Sequence, residues 1–222
     1  MSGIGIKIIT RSLILIKRVS YYNKMRSLLF ICLFVVICGA LAKKSDNKVK
    51  IAVYYEALCP DSRRFIVRQL APVWHEFRGQ VKVKLVPYGK STHDKVDGKW
   101  QFNCHHGPNE CAANKIHACI LKSRAFSDTE KMEMVICLMN QTNQSQFLDT
   151  TEAEVRSCAS GPKGDELLAT YGTKTDAVQR PLSFVPTIVL NEVFNQENAD
   201  ESMTDLKAAV CRVAVRKPAV CT

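Results

Sequence analysis

Apolar residues recur along this chain with two different periods, and the change from one to the other marks its elements. In residues 49–57, Ile51, Val53 and Tyr55 alternate with Ala52, Tyr54 and Glu56, and both sets are largely apolar. That pattern predicts a strand buried on both faces, as in the middle of an α/β sheet. From Ser62 to Phe77 the spacing becomes helical, with Ile66, Leu70, Val73 and Phe77 on one stripe. Pro72 lies inside that stripe and is expected to kink or divide the helix, and Gly79 to end it. Val81 to Val86 alternates apolar and basic residues, which predicts a second strand with one wet face, stopped by Pro87-Tyr88-Gly89. Strand, helix and strand within about 40 residues make a βαβ unit and imply a parallel pair.

From Lys90 to about Gln179 strand signals give way to helical ones. Helices are predicted from Asn109 to Lys122 with Cys111, Ile116, Cys119 and Ile120 inward, and from Ser127 through Met134, Ile136, Cys137 and Leu138. Two more are predicted from Thr151 to Ala159 and from Gly164. Ser127 with Glu130, and Thr151 with Glu154, have the spacing of a capping box. Strand character returns at Phe184 to Leu190. Asn191-Glu192 follows as a tight turn, Val193-Phe194 as a short partner strand, and Thr204 to Val215 as the last helix. The order βαβ, helical block, ββ, α describes an α/β protein: a thioredoxin-like sheet with a helical insertion at about residues 90–179.

The N-terminus changes the charge picture. Leu28 to Ala42 is a nearly unbroken apolar run, preceded by Lys24 and Arg26 and closed by the small-x-small pattern Ala40-Leu41-Ala42. That is the layout of a cleaved signal peptide over residues 1–42, with an uncleaved anchor as the alternative, although the run is short of the ~20 residues a membrane span needs. Residues 1–24 fit poorly before a signal. Either Met25 is the working start or the basic leader is unusually long. The formal charge of +10 includes six basic residues of segment 1–42, and its removal leaves 25 Lys and Arg against 21 Asp and Glu, about +4. No basic, aromatic-laced patch points to nucleic acid, and no membrane association is expected after cleavage. Eight of the ten cysteines lie beyond the signal (Cys59, Cys104, Cys111, Cys119, Cys137, Cys158, Cys211 and Cys221), as in a disulfide-stapled exported domain. Asn140-Gln141-Thr142 and Asn143-Gln144-Ser145 are adjacent glycosylation acceptors.

Cys59 follows the first strand and precedes Pro60, which suits a first helical position. Unpaired N–H groups and aligned peptide dipoles at a helix start favour a thiolate there; Arg63 and Arg64 add positive charge, and Asp61 opposes it. The plain alternative is that Cys59 is one more half-cystine. Ser62 stands where a Cys-x-x-Cys motif has its resolving thiol, and its hydroxyl is able to donate to Cys59 or to cap the helix. A one-cysteine site still forms a mixed disulfide, which an external thiol must release. Pro186 opens the later strand. On sequence alone an ordinary strand-start proline is the expectation, since only ~5–6% of X–Pro bonds are cis. Cys104-His105-His106 through Cys119 raises zinc, but the spacings are not those of a finger and an oxidising compartment favours disulfides, so no metal is expected. Cys111 and Cys119, two turns apart on one helix, do not reach each other; each pairs elsewhere, with Cys104 or the other helices among the candidates.

The segment from Cys104 to Cys119, Cys-His-His-Gly-Pro-Asn-Glu-Cys-Ala-Ala-Asn-Lys-Ile-His-Ala-Cys, closely resembles the signature C-Q-H-G-x-x-E-C-x-x-N-x-x-x-x-C of the gamma-interferon-inducible lysosomal thiol reductase (GILT) family. His105 replaces the usual Gln and every other fixed position matches. The resemblance runs from about Val49 to Cys221 and includes Tyr54-Tyr55-Glu56-Ala57-Leu58-Cys59. It implies a thioredoxin-like fold, glycosylation, a lysosomal or secreted location, and reduction of protein disulfides at acidic pH; no bound cofactor is expected, and the one-cysteine site makes a small-molecule thiol the expected reductant. By residue it implies Cys59 as nucleophile and Pro186 as the cis proline. Ser62 departs from the resolving cysteine, as in a Cys-x-x-Ser variant similar to insect members, and puts reductase activity in doubt. A redox-inactive binding module on the same fold is the rival reading. With Cys59 free, seven cysteines remain, an odd number; Cys221 is the expected unpaired one, which allows a disulfide-linked homodimer.

Overall fold

A computed structural model describes residues 47–141 and 153–221. The apolar segment 28–42, Met25, Asn143 and the Thr151 start of the third predicted helix lie outside them. β1 (Val49–Tyr55) pairs in parallel with β2 (Val81–Pro87), in the register Val49 to Val81 through Tyr55 to Pro87. β5 (Thr187–Leu190) lies antiparallel on the other side of β1, so the sheet order is β2-β1-β5. β1 is therefore the central strand. Its two apolar faces enter two cores: Val49, Ile51, Val53 and Tyr55 pack with Phe65, Leu70, Phe77, Ile120, Leu206 and Val210. Tyr54 joins Val86, Tyr88, Leu168, Tyr171 and Val189 on the opposite side. Lys82 and Lys84 of β2 are exposed, the wet face that the alternation predicts.

The crossover helix is divided as expected at Pro72. α1 (Pro60–Phe65) passes through a π-helical turn, Ile66–Leu70, into α2 (Ala71–Glu76). Pro72 has no N–H to give to the carbonyl four residues earlier, and the ladder widens just before it: the Ala71 N–H bonds the Ile66 carbonyl, five residues back.

The insertion is not wholly helical. It opens with a hairpin, β3 (Thr92–Val96) and β4 (Lys99–Asn103), before its helices begin. Most of its residues are exposed, so it lacks the apolar alternation that marks a half-buried strand. The turn was nonetheless written in the chain: Asp97 and Gly98, at φ 49° and 77°, form the two-residue Asp-Gly turn typical of hairpins. The hairpin is tied down by His93, which contacts Tyr88, Trp100 and Phe102, and by Trp100 Nε1 donating to Glu166 at 2.9 Å. Gly172 permits that approach, because a Cβ there would lie 2.6 Å from His93 and 2.7 Å from Tyr88.

The helices that follow are α3 (Pro108–Lys122), α4 (Asp128–Asn140), α5 (Ala153–Ser160) and α6 (Pro162–Asp176). The Ser127–Glu130 capping box is formed in full. The inner face of α4 is Met132, Val135, Leu138 and Met139, whereas Cys137 faces out. The later strand begins at Thr187 and not at Phe184, which is 46% exposed; Pro186 has no N–H to enter a ladder. Asn191 and Glu192 make the expected tight turn, at φ 51° and 67°. Val193 contributes a single bridge to Leu190 rather than a partner strand. Where one last helix was expected there are two, α7 (Gln196–Thr204) and α8 (Leu206–Val213), with Asn195 and Asp205 as side-chain caps. α7 buries only Ala199 and Ser202, which leaves no apolar stripe to detect.

Among the described residues three disulfides staple this frame: Cys104–Cys111, Cys119–Cys158 and Cys211–Cys221. Cys59 and Cys137 are free. The odd cysteine is thus Cys137 and not Cys221, which the final turn of chain (Ala219–Cys221) brings back to α8. Cys137 is likewise removed from the structural disulfides.

A bridge stabilises mainly by restricting the unfolded chain, and more so for longer loops. Cys119–Cys158 spans 39 residues and Cys104–Cys111 spans 7. Replacing the first pair by alanine is expected to cost about 4 kcal/mol, and the second about 2.5 kcal/mol. Denaturant midpoints of the two variants measure the difference; the reverse order would show that native-state packing, not loop length, sets the contribution.

Candidate active site

The chain leaves β1 at Tyr55, turns through Glu56-Ala57-Leu58, and enters α1 at Pro60 with Cys59 as the N-cap. The Cys59 carbonyl accepts the Arg63 N–H at 3.0 Å, and the Cys59 N–H donates to the Glu56 carbonyl at 3.3 Å. The side chain is 7% exposed and packs with Tyr54, Val86, Tyr88, Leu182 and Val185. Cys59 Sγ lies 3.7 Å from the Val185 carbonyl oxygen, within reach of a thiol hydrogen bond. Val185–Pro186 is a cis peptide, not the ordinary strand-start proline that the residues alone suggest. Cys59 and Pro186 are therefore brought to one place. A groove of about 800 Å³ is lined by Tyr88, Lys90, His93, Thr175, Arg180 and Leu182 among others; neither Cys59 nor Pro186 lines it, and its link to the thiol is through Tyr88 and Leu182, which belong to the same buried cluster as Cys59.

Ser62 is fully buried one turn into α1. Its Oγ accepts the Glu56 N–H at 3.3 Å, and the helix carries no side-chain cap. The serine thus braces the turn from beneath rather than capping the helix. The two arginines are also engaged: Arg64 pairs with Asp61 at 2.6 Å, and Arg63 donates to the Asn140 carbonyl at 2.7 Å. Asn140, one of the glycosylation acceptors, is an exposed residue at the end of α4.

Four residues that sequence reasoning did not place in the site complete it. Asn114 of α3 accepts the Ala57 N–H through Oδ1 at 2.9 Å, fixing the turn to the insertion. His117, one turn further, shares a 2.8 Å hydrogen bond with the Tyr55 hydroxyl at the end of β1. Glu56 is wholly buried; its Oε1 accepts the Lys90 N–H at 2.7 Å, and its Oε2 lies 3.3 Å from His105 Nδ1 and 3.2 Å from His106 Nδ1. Glu110, also buried, accepts the His106 N–H at 3.0 Å and meets His106 Nδ1 at 2.6 Å. Burial is the main cause that raises the Glu110 carboxyl above the ordinary carboxylate range; the nearby Glu56 charge adds to it and His106 opposes it. The signal for these contacts was the signature itself: Asn114 and Glu110 are fixed positions in it, and the Cys104–Cys111 bridge closes the loop that holds both histidines. That bridge and Cys119–Cys158 take up the signature's cysteines as disulfides.

A family model described as "Gamma interferon inducible lysosomal thiol reductase (GILT)" matches residues 50–161. The chain is 32% identical over 216 residues to a "Gamma-interferon-inducible lysosomal thiol reductase-like protein" of Anopheles gambiae, covering 88% of this chain and 87% of that one. It is 33% identical over 213 residues to "GILT-like protein 1" of Drosophila melanogaster, with 86% and 85% covered. It is 31% identical over 197 residues to the "Gamma-interferon-inducible lysosomal thiol reductase" of Mus musculus, with 85% and 77% covered. Among solved structures, BdbD from Bacillus subtilis superposes with a TM-score of 0.54 at 13% identity, over 77% of this chain and 89% of that one. DsbA of Chlamydia trachomatis gives 0.50 at 14% identity, over 72% and 87%. At such identities these two likenesses speak for the fold, which is thioredoxin-like.

Burial pushes the His117 imidazole down to about 3. The unfolded chain binds that proton near ~6.5. The stabilising contribution is therefore complete above about pH 6.5 and is lost progressively as pH falls toward 3, and by about pH 4.5 the loss is roughly 2–3 kcal/mol. His117→Gln retains a partner for the Tyr55 hydroxyl and is expected to remove most of that slope. Denaturant unfolding at about pH 7 and about pH 4.5 checks it; a slope equal to that of the parent would mean that His117 does not govern the acid response.

Proposed function

The chain belongs to the gamma-interferon-inducible lysosomal thiol reductase family, and from that membership we propose that it is a thiol oxidoreductase that reduces or exchanges protein disulfides through Cys59 alone, in an acidic lysosomal or extracellular setting. The observation that carries this reading is Cys59 itself: a free thiol at the N-cap of α1, against the Val185 carbonyl and the cis proline, in a chain whose other site-region cysteines are bridged. The Cys59 thiolate attacks one sulfur of a substrate disulfide and expels the other as a thiolate, leaving a mixed disulfide. Ser62 has no sulfur with which to release it. A small-molecule thiolate attacks the Cys59 sulfur and expels the substrate's second thiolate, leaving Cys59 in a mixed disulfide with the small molecule; a second equivalent attacks the small molecule's sulfur, releases the Cys59 thiolate and leaves as a small disulfide. Glycans on Asn140 and Asn143 suit a secretory route, and the exposed Cys137 is the thiol through which a disulfide-linked homodimer would form.

A second reading rests on the low exposure of Cys59: the same fold serves as a redox-inactive binding module. Alkylation discriminates the two, since a thiol that resists modification in the native protein supports the module.

Reduction of a denatured disulfide protein at mildly acidic pH, with excess small thiol, is expected to proceed with the parent chain and to fall to background with Cys59→Ser. Equal rates would sink the single-cysteine reading. Ser62→Cys is expected to raise turnover several-fold when small thiol is scarce and to change little when it is abundant. No gain at low thiol would show that release of the mixed disulfide is not limiting.

A further inference from the structure

We propose that Glu56, His105 and His106 form a binding site for one divalent transition-metal ion of the zinc class, next to the Cys59 turn. The three donors lie within 4.8 Å of one another. Glu56 Oε2 is 3.3 Å from His105 Nδ1 and 3.2 Å from His106 Nδ1. Two ligands bonded to a tetrahedral zinc at about 2.0–2.1 Å stand roughly 3.3 Å apart, so both distances already fit the edges of such a site. Glu110 Oε2, 2.6 Å from His106 Nδ1, is placed to move outward into the fourth position as that nitrogen gives up its contact with the carboxylate to bond the ion.

Charge points the same way. Glu56 and Glu110 are both fully buried, and every ion pair recorded for either among the described residues is to one of these histidines. Two buried carboxyl groups this close together are costly, and a dication neutralises both at once. Mixed nitrogen and oxygen donors select zinc-like ions over magnesium or calcium, which prefer oxygen throughout.

The frame is prepared and open. The Lys90 N–H holds Glu56 Oε1, and Gly89, at φ +63°, leaves the room that the Glu56 side chain fills: a Cβ there would lie 2.1 Å from Glu56 Cγ. The Cys104–Cys111 bridge holds the loop bearing the histidines. Their side chains are 54% and 32% exposed, so an ion enters directly from solvent. Zinc through the signature's cysteines is ruled out by their disulfides; the donors are instead the two histidines and a carboxylate from the far end of β1.

The test uses the full exported chain carrying Cys59→Ser and Cys137→Ser, stripped of metal and titrated with Zn²⁺ against a chromogenic chelator at neutral pH. One ion per chain is expected. His105→Gln, a change at the more exposed ligand that spares the fold, is expected to weaken binding about tenfold or more, and Glu56→Gln at least as much. His75→Ala, at an exposed histidine elsewhere on the surface, should leave binding unchanged. Co²⁺ in place of zinc should give the intense visible bands of a four-coordinate ion, lost in His105→Gln. Absence of a stoichiometric ion, or equal binding by the parent and His105→Gln, would overturn the proposal.

Discussion

The burial of Glu56 is the constraint on which the site depends. A carboxyl group with no exposure must have every oxygen answered, and each answer comes from a different part of the chain. The Lys90 N–H arrives from just beyond β2, and the imidazoles arrive from the disulfide-closed loop before α3. Its backbone carbonyl takes the Cys59 N–H, and its backbone N–H is taken by Ser62. One residue therefore ties together the end of the central strand, Cys59, the Ser62 beneath it and the insertion.

The cores and the polar contacts divide the work. Burial of each Val, Leu, Ile or Phe side chain contributes about 1.5–3 kcal/mol, so the packing on both faces of β1 supplies most of the stability. A hydrogen bond such as Asn114 Oδ1 to the Ala57 N–H contributes only about 1 kcal/mol net. Its value is directional. Hydrophobic contact tolerates small sliding movements, whereas a buried amide leaves its partner unsatisfied once it shifts. Asn114 and His117 fix where the turn sits relative to the sheet, and the thiol inherits that position.

The sheet and the cysteine turn were legible because their signals are local. Alternation in β1 and β2, the stripe through Phe77 and the Cys59-Pro60 junction each lie within a few residues, and each element stands where its pattern places it. Pro72 was legible for the same reason: a missing N–H disturbs a helix whatever surrounds it. The hairpin escaped because its strands are wet on most positions and only Asp97-Gly98 marks it. α7 escaped because it buries so little. Cysteine pairing is a question of long-range distance, and proximity to the terminus misdirected the choice to Cys221, although the last turn folds back onto Cys211. The Glu56 contacts join residues about fifty positions apart, which no periodicity reports.

The place of Ser62 beneath the turn gives its hydroxyl a second role. Sulfur is a poor acceptor compared with a hydroxyl oxygen. With cysteine at this position the Glu56 N–H would face a weak partner in a buried setting, and the hub of the turn would loosen by one bond. The exchange of a single atom at position 62 is thus not symmetric in its effects on this chain. A second thiol at position 62 would change a bond that braces the turn as well as the chemistry open to Cys59.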